Sequence, residues 1–295
     1  MLRAQRPRRA TGYSTSCPKR VVAGEDPIPH DGDPRARSTF GRVSVDLSIT
    51  DGRADLILRR PDVLNAMNWD VFDGLTKAID AVVSDPGVRV VVIAGEGRSF
   101  SSGIDTTIIG DVQGDPSEMI QRAQAPFRAL GDLAVPTIAA VKGHALGAGM
   151  QLALGCDLRV VTRDAQLGLL ESKFALIPDL GGTQALTTLV GPARAKRMIW
   201  LAERIDGAEA ERIGIADVAV DPERLDEAVD DIVVRLAAAS PLAVREAKRL
   251  VNLAGRAERS DAMDEEARSQ KKIFASPDLL EAVTALVEGR APRYE

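Results

Sequence analysis

Between residues 43 and 49 apolar and polar positions alternate, with Val43, Val45, Leu47 and Ile49 set against Ser44, Asp46 and Ser48. That period of two predicts a half-buried strand. Asp51-Gly52 then marks a tight hairpin turn. Ala54-Asp55-Leu56-Ile57-Leu58 returns as a second strand, which Pro61 stops. Val71, Leu75, Ile79 and Val82 recur at helical spacing and predict an amphipathic helix over about 68–84, ended by Asp85-Pro86-Gly87. Residues 88–94 form a nearly unbroken β-branched run, the mark of a strand buried on both faces of a parallel sheet. A Gly/Ser loop follows over 95–103, and helical periodicity resumes at about 117–132 before Pro136 breaks it.

The pattern then repeats. A strand is expected at 137–141, a glycine-rich turn at 143–149, a short helix at 150–154 and another strand at 158–162. Leu167 to Leu170 is a short apolar segment leading to Glu171. From about residue 183 the pattern is nearly all helical, over 183–190, 192–202, 207–213, 222–239, 241–254, 260–275 and 277–288. An alternating half followed by a helical half predicts an α/β core with a helical C-terminal region. The expected division is a non-folded extension over 1–40, an α/β core over 41–205 and a helical region over 206–295.

Composition narrows the function classes. The 295 residues are 45% hydrophobic and 27% charged, which fits an ordinary soluble globular protein. A net charge of −5 and 3% aromatic residues argue against nucleic acid as a partner. Two cysteines and two histidines exclude a disulfide framework and a His- or Cys-rich zinc site. No apolar run approaches the ~18 residues of a membrane span, so a cytoplasmic location without membrane association is expected. Residues 1–40 are rich in arginine and proline and lack apolar periodicity, which predicts a disordered extension or an upstream-start artefact. The acid-poor first 20 residues also leave room for a transit-like role.

Two glycine turns follow strands: Gly95 to Asp105, and Lys142 to Gln151 with Gly143, Gly147 and Gly149. Loops at the carboxyl ends of parallel strands build ligand crevices. Two such loops side by side can aim two backbone N–H groups at one oxygen, an oxyanion hole suited to a thioester enolate. Either loop taken alone also reads as a tight turn with no ligand. Neither carries a nucleotide motif, and Gly97-Arg98-Ser99-Phe100-Ser101 is not a nucleophile elbow. His144 lies inside the second turn, where packing or hydrogen bonding competes with a role as base. Glu171 comes straight off an apolar strand end, where burial would raise its pKa toward the range useful for proton transfer. Asp179 follows after Ile177-Pro178, and the turn before Gly181-Gly182 could bring it back near Glu171. Each acid alone also fits a helix cap or a surface charge.

From about Val43 onward the chain resembles the enoyl-CoA hydratase/isomerase family, the crotonase superfamily. Four stretches carry the resemblance: Arg59 to Met67 (RRPDVLNAM), Ser99 to Asp105 (SFSSGID), Gly143 to Gly149 (GHALGAG) and Ile177 to Thr183 (IPDLGGT). The resemblance implies a crotonase-like spiral of ββα units with C-terminal helices that make a homotrimer or a dimer of trimers. It implies an acyl-CoA substrate whose thioester oxygen is held by the N–H groups of Ile104 and Ala148. It places CoA and substrate contacts at Leu64, Ala66, Ser102, Gly103, Asp105 and Gly147, with Phe274 closing the CoA site. No metal or other cofactor is implied, since CoA enters as part of the substrate.

Departures from the family pattern shape the expected chemistry. Hydratases of the family activate water with two glutamates; one corresponds to Glu171, but the other position is Gln151, which cannot exchange a proton as a carboxylate does. Isomerases need one base, and dienoyl-CoA isomerases resemble this chain in placing an aspartate where Asp179 stands. They carry a third acid at the position of Gln151. The expectation is therefore isomerisation of an enoyl- or dienoyl-CoA with Glu171 as base, Asp179 as second acid or positioning group, and Gln151 orienting water or thioester. The alternatives are a hydratase in which Asp179 compensates for Gln151, and an acyl-CoA-binding protein without turnover. Arg59, Arg60 and Arg290 are candidates for CoA phosphates, or are solvated surface charges. Leu279, Val283, Leu286 and Val287 form an apolar stripe that serves either an oligomer contact or an intrachain core.

Overall fold

A computed structural model describes residues 43–109 and 115–294; the expected extension over 1–40 lies outside the described residues. β1 (Val45–Thr50) and β2 (Arg53–Leu58) form the expected antiparallel hairpin, with Thr50 opposite Arg53. Asp51 and Gly52 both adopt positive φ between them, as a two-residue hairpin turn demands. α1 (Trp69–Ser84) follows, and its start is fixed by Asn68, whose side chain accepts from the Val71 N–H at 3.2 Å.

β3 (Val90–Gly95) lies parallel to β2, and β4 (Thr137–Val141) and β6 (Leu158–Thr162) extend the sheet in parallel. Between them run α2 (Thr106–Ile109) and α3 (Ser117–Asp132), then β5 (His144–Leu146) and α4 (Ala148–Gly155). β7 (Gln166–Gly168), α5 (Gly182–Trp200), β8 (Ile205–Asp206), α6 (Gly207–Arg212) and β9 (Val218–Val220) follow. The chain closes with α7 (Leu225–Ala237), α8 (Pro241–Ala254), α9 (Arg259–Phe274) and α10 (Pro277–Glu288). The large sheet has the order β1-β2-β3-β4-β6-β9, and a small one has the order β5-β7-β8.

The β-branched run is buried on both faces, as its composition predicts. Val91, Ile93, Ala139, Val141 and Val161 face the main core with α1 and α3. Val90, Val92, Ile138, Ala140 and Val160 face a second core completed by Leu225, Val229 and Val233 of α7. The sheet is thus sandwiched between helical layers.

Three differences from the sequence reading stand out. Residues 144–146, expected within a glycine turn, form β5; three residues between glycines are too few to show a period. Residues 218–220, expected between helices, form β9 and pair with β6, so the large sheet extends past residue 205. α4 begins at Ala148, two residues earlier than expected, because Gly147 at φ 52° and ψ −121° turns the chain directly into the helix. The expected break near residue 191 is present inside α5, where Gly191 is non-helical ahead of Pro192.

α8 is tied to the core by long cationic side chains. Lys248 donates to Asp157 at 2.7 Å and to the Val135 carbonyl at 2.8 Å, while Arg245 donates to the Val88 carbonyl at 3.0 Å. α9 packs against α8 and α10. On α10, Leu286 and Val287 are 80% and 82% exposed and Val283 is also exposed, so this stripe is not an intrachain core. Among the described residues no helix is long and apolar enough to cross a membrane.

Candidate active site

Three short parallel segments carry the candidate groups. Ser101 bridges Ala145, and Ala145 pairs with Leu167, so the three lie side by side. Downstream of Ser101 come Gly103 and Ile104; downstream of β5 come Gly147 and Ala148; downstream of β7 comes Glu171. Parallel register therefore delivers two backbone turns and one carboxylate to the same sheet edge.

The first turn is held from its far side. Met67 bridges Ile104: the Met67 N–H donates to the Gly103 carbonyl at 2.8 Å and the Asp105 N–H donates to the Met67 carbonyl at 2.9 Å. In a parallel bridge the middle residue's own N–H faces the opposite way, so the Ile104 N–H turns away from Met67. Ala148 is the first residue of α4, and its N–H has no acceptor within the helix. The two turns touch. Gly103 has φ 107°, and a Cβ there would stand 2.8 Å from the Leu146 carbonyl oxygen and 3.7 Å from the Ala148 nitrogen. Only glycine admits both that conformation and that approach.

Glu171 closes the arrangement. Its Oε1 lies 3.6 Å from the point a Cβ on Gly147 would occupy. Oε1 accepts from the Gln151 side-chain amide at 2.8 Å, and Oε2 is buried without a hydrogen-bond partner. Burial pushes the Glu171 carboxyl above its ordinary pKa; its own backbone N–H and the Gln151 donor oppose that, and the charge of Asp179 adds a smaller push upward. Burial raises Asp179 as well. The turn places Asp179 close enough for its charge to act on Glu171, and the Gln124 side chain fastens the turn by donating to the Asp179 carbonyl at 2.6 Å. Gln151, 2% exposed, accepts at its Oε1 from the N–H groups of Leu180 (2.8 Å) and Gly182 (3.1 Å).

The expected CoA-side residues gather in one loop cluster. The Ser102 N–H donates to the Leu64 carbonyl at 2.9 Å and its hydroxyl to the Val63 carbonyl at 3.3 Å. Arg60 donates to the Ala66 carbonyl at 2.5 Å and to Asp105 at 2.9 Å. Burial would raise Asp105, but hydrogen bonds from Thr107 and Arg60 outweigh it and hold the carboxyl below its usual range. Asp105 is thus a loop clamp. Sequence reasoning did not single out Asn65 as a site residue. It is 1% exposed, accepts from the Arg60 N–H, and donates to the carbonyls of Glu96 and Ser99. The signal available in the sequence was an asparagine, a residue that tolerates positive φ, just after Pro61-Asp62; the structure gives Asn65 a φ of 56°.

Other candidates lie elsewhere. Phe274 is 67% exposed at the end of α9, whose packing partners are α8 and α10. His144 sits at the start of β5, the end away from Gly147; burial and the charges of Arg204 and Arg98 push its imidazole below the ordinary pKa. The three candidate phosphate-binding arginines are all ion-paired: Arg59 with Asp46, Arg60 with Asp105, and Arg290 with Glu281 and Glu288. Among the described residues no group of three or more His, Cys, Asp or Glu side chains is placed to hold a metal ion.

A mixed α/β fold with two touching backbone turns beside a buried carboxylate defines the class, and comparison with known proteins specifies it. The family model for enoyl-CoA hydratase/isomerase matches residues 49–295. The crotonyl-CoA hydratase of Syntrophomonas wolfei is 36% identical over 243 residues, covering 82% of this chain and 94% of that protein. The peroxisomal Delta(3,5)-Delta(2,4)-dienoyl-CoA isomerase of Arabidopsis thaliana is 32% identical, covering 81% and 91%. A Thermobifida fusca structure solved with acetoacetyl-CoA superposes with a TM-score of 0.74 at 38% identity, covering 79% of this chain and 95% of that one. The chain belongs to the enoyl-CoA hydratase/isomerase family of enzymes.

Proposed function

We propose that the protein moves a double bond within an enoyl- or dienoyl-CoA thioester through an enolate, with Glu171 as the single base. The observation that carries this reading is the pairing of Glu171 with an amide: Gln151 occupies the place of a second acid and donates to the carboxylate at 2.8 Å. The N–H groups of Ile104 and Ala148 hold the thioester oxygen, where charge develops. Glu171 takes a proton from C2; the C–H pair becomes the C1–C2 double bond as the carbonyl pair moves to oxygen. The oxygen pair then returns, the double bonds shift, and Glu171 gives its proton to C4 of a 3-enoyl chain or C6 of a 3,5-dienoyl chain. Atoms and charge balance with no co-reactant. Acyl-CoA as the substrate class is supported by the acetoacetyl-CoA bound to the Thermobifida fusca relative. Leu64, Ala66, Ser102 and Gly103 line the CoA side of this reading.

A second reading is a hydratase in which Asp179 compensates for Gln151. The similarity to a crotonyl-CoA hydratase and the influence of Asp179 on Glu171 favour it. Parallel assays of 3-enoyl-CoA isomerisation and 2-enoyl-CoA hydration decide between them: the first reading expects isomerisation to dominate, and faster hydration overturns it. The exposed apolar stripe of α10 supports assembly as a homotrimer or a dimer of trimers, with Phe274 reaching a CoA site only in the assembly; native mass spectrometry checks that state.

A further inference from the structure

We propose that Gln151 is a positioning residue that locks Glu171 so that one carboxylate oxygen, Oε2, carries the proton throughout. The inference rests on the one-base reading above.

The orientation of the Gln151 amide is fixed by its neighbours. Its Oε1 receives two backbone N–H groups, from Leu180 at 2.8 Å and Gly182 at 3.1 Å. Those groups only donate, so a flipped amide would set its NH2 against two other donors. Nε2 must then face Glu171, and it donates to Oε1 at 2.8 Å. The turn accommodates Gln151 by carrying glycine at 182, since a Cβ there would stand 2.7 Å from its Cγ. The hydrogen-bond chain therefore runs one way, from the 180–182 turn through Gln151 into Glu171. It occupies one oxygen of the carboxylate and leaves the other, Oε2, buried with no partner.

A glutamate at position 151 could still accept from Leu180 and Gly182. Its second oxygen would face Glu171 oxygen to oxygen, and the pair would have to share a proton. An amide avoids that and keeps Glu171 a lone base. The charged group acting on Glu171 is Asp179 on the turn; α4 presents the neutral Gln151, and the turn after β5 presents the backbone of Gly147.

The test follows the titration of Glu171 in two ways in Gln151→Met and Gln151→Glu. One is the acidic limb of the kcat–pH profile for 3-enoyl-CoA isomerisation. The other is the carboxylate infrared band of the free protein, assigned by its loss in Glu171→Gln. Met removes the donor to the charged form, so band and limb should both move to higher pH, with kcat down about tenfold and KM changed less than about twofold. Glu keeps the acceptor for the turn, which guards the fold should Met disturb it, and should move both further by sharing a proton. A kcat loss with limb and band unmoved in both variants would assign Gln151 a packing role only and overturn the proposal. A moved band in a protein with no isomerase activity would overturn the one-base reading while leaving the positioning role standing.

Discussion

Gly147 and Glu171 meet across the site: a Cβ on the glycine would stand 3.6 Å from Oε1 of the glutamate, an ordinary contact distance. Space at that point is therefore not the constraint on position 147. The backbone is, with φ 52° and ψ −121°. Gly147→Ala is expected to shift the turn and the Ala148 N–H, at a strain of about 1–3 kcal/mol. Loss of one oxyanion donor lowers kcat by about 10²–10³-fold. Steady-state kinetics beside a thermal melt checks both. Unchanged kcat with a lowered melting temperature would remove Ala148 from the mechanism.

The raised pKa of Glu171 gives stability a pH signature. The folded protein holds the Glu171 proton more tightly than the unfolded chain, so this group favours folding below the unfolded carboxylate range near 4.5. That contribution is lost as pH rises through the folded value. Glu171→Gln removes the cost of a buried negative charge, so the variant should melt above the parent at pH 8 and level with it near pH 4. Equal differences at both pH values would contradict the burial that the structure assigns to this side chain.

Arg60 and Asp105 tie the loop before α1 to the turn bearing Ile104, at 2.9 Å with both side chains mostly buried. Removing one partner leaves the other charge poorly compensated. Arg60→Met is expected to destabilise by about 1–3 kcal/mol and to raise KM for acyl-CoA more than it lowers kcat. Urea denaturation and a substrate titration test this. A pure kcat effect would point to direct contact with the reacting atoms.

Asp179 raises the pKa of Glu171 by its charge. Asp179→Asn should therefore move the acidic limb of the isomerisation profile to lower pH while activity persists. Selective loss of hydration in this variant would favour the hydratase reading. Gln151→Glu, which adds the second carboxyl, is expected to gain hydration.

Much of the fold was legible because its elements bury one or both faces at a clear period. α3, β4, β6, α8 and α10 lie where alternation, β-branched runs or helical spacing put them. β5 and β9, three residues each, carry too little period to announce themselves, and both depend on partners far along the chain. At the site, the return of the Asp179 turn toward Glu171 was readable from Pro178 and the glycines that bend the chain, whereas the place of Gln151 beside Glu171 came only from the family resemblance. The direction of the Gln151 hydrogen bonds was not, because it depends on two backbone donors of a turn 29 and 31 residues away. Nor was the clamp role of Asp105, which needs Arg60 from another loop.

The central claim is that Glu171 alone carries hydrogen between the two carbons, and label transfer tests it most directly. 3-Enoyl-CoA deuterated at C2 is converted in ordinary water and the product is read by mass spectrometry and NMR. With Oε2 buried and unpartnered, part of the product should carry deuterium at C4, and Glu171→Gln should cut turnover by about 10²–10⁴-fold. Product with only solvent hydrogen at C4, or a Gln variant as fast as the parent, would contradict it.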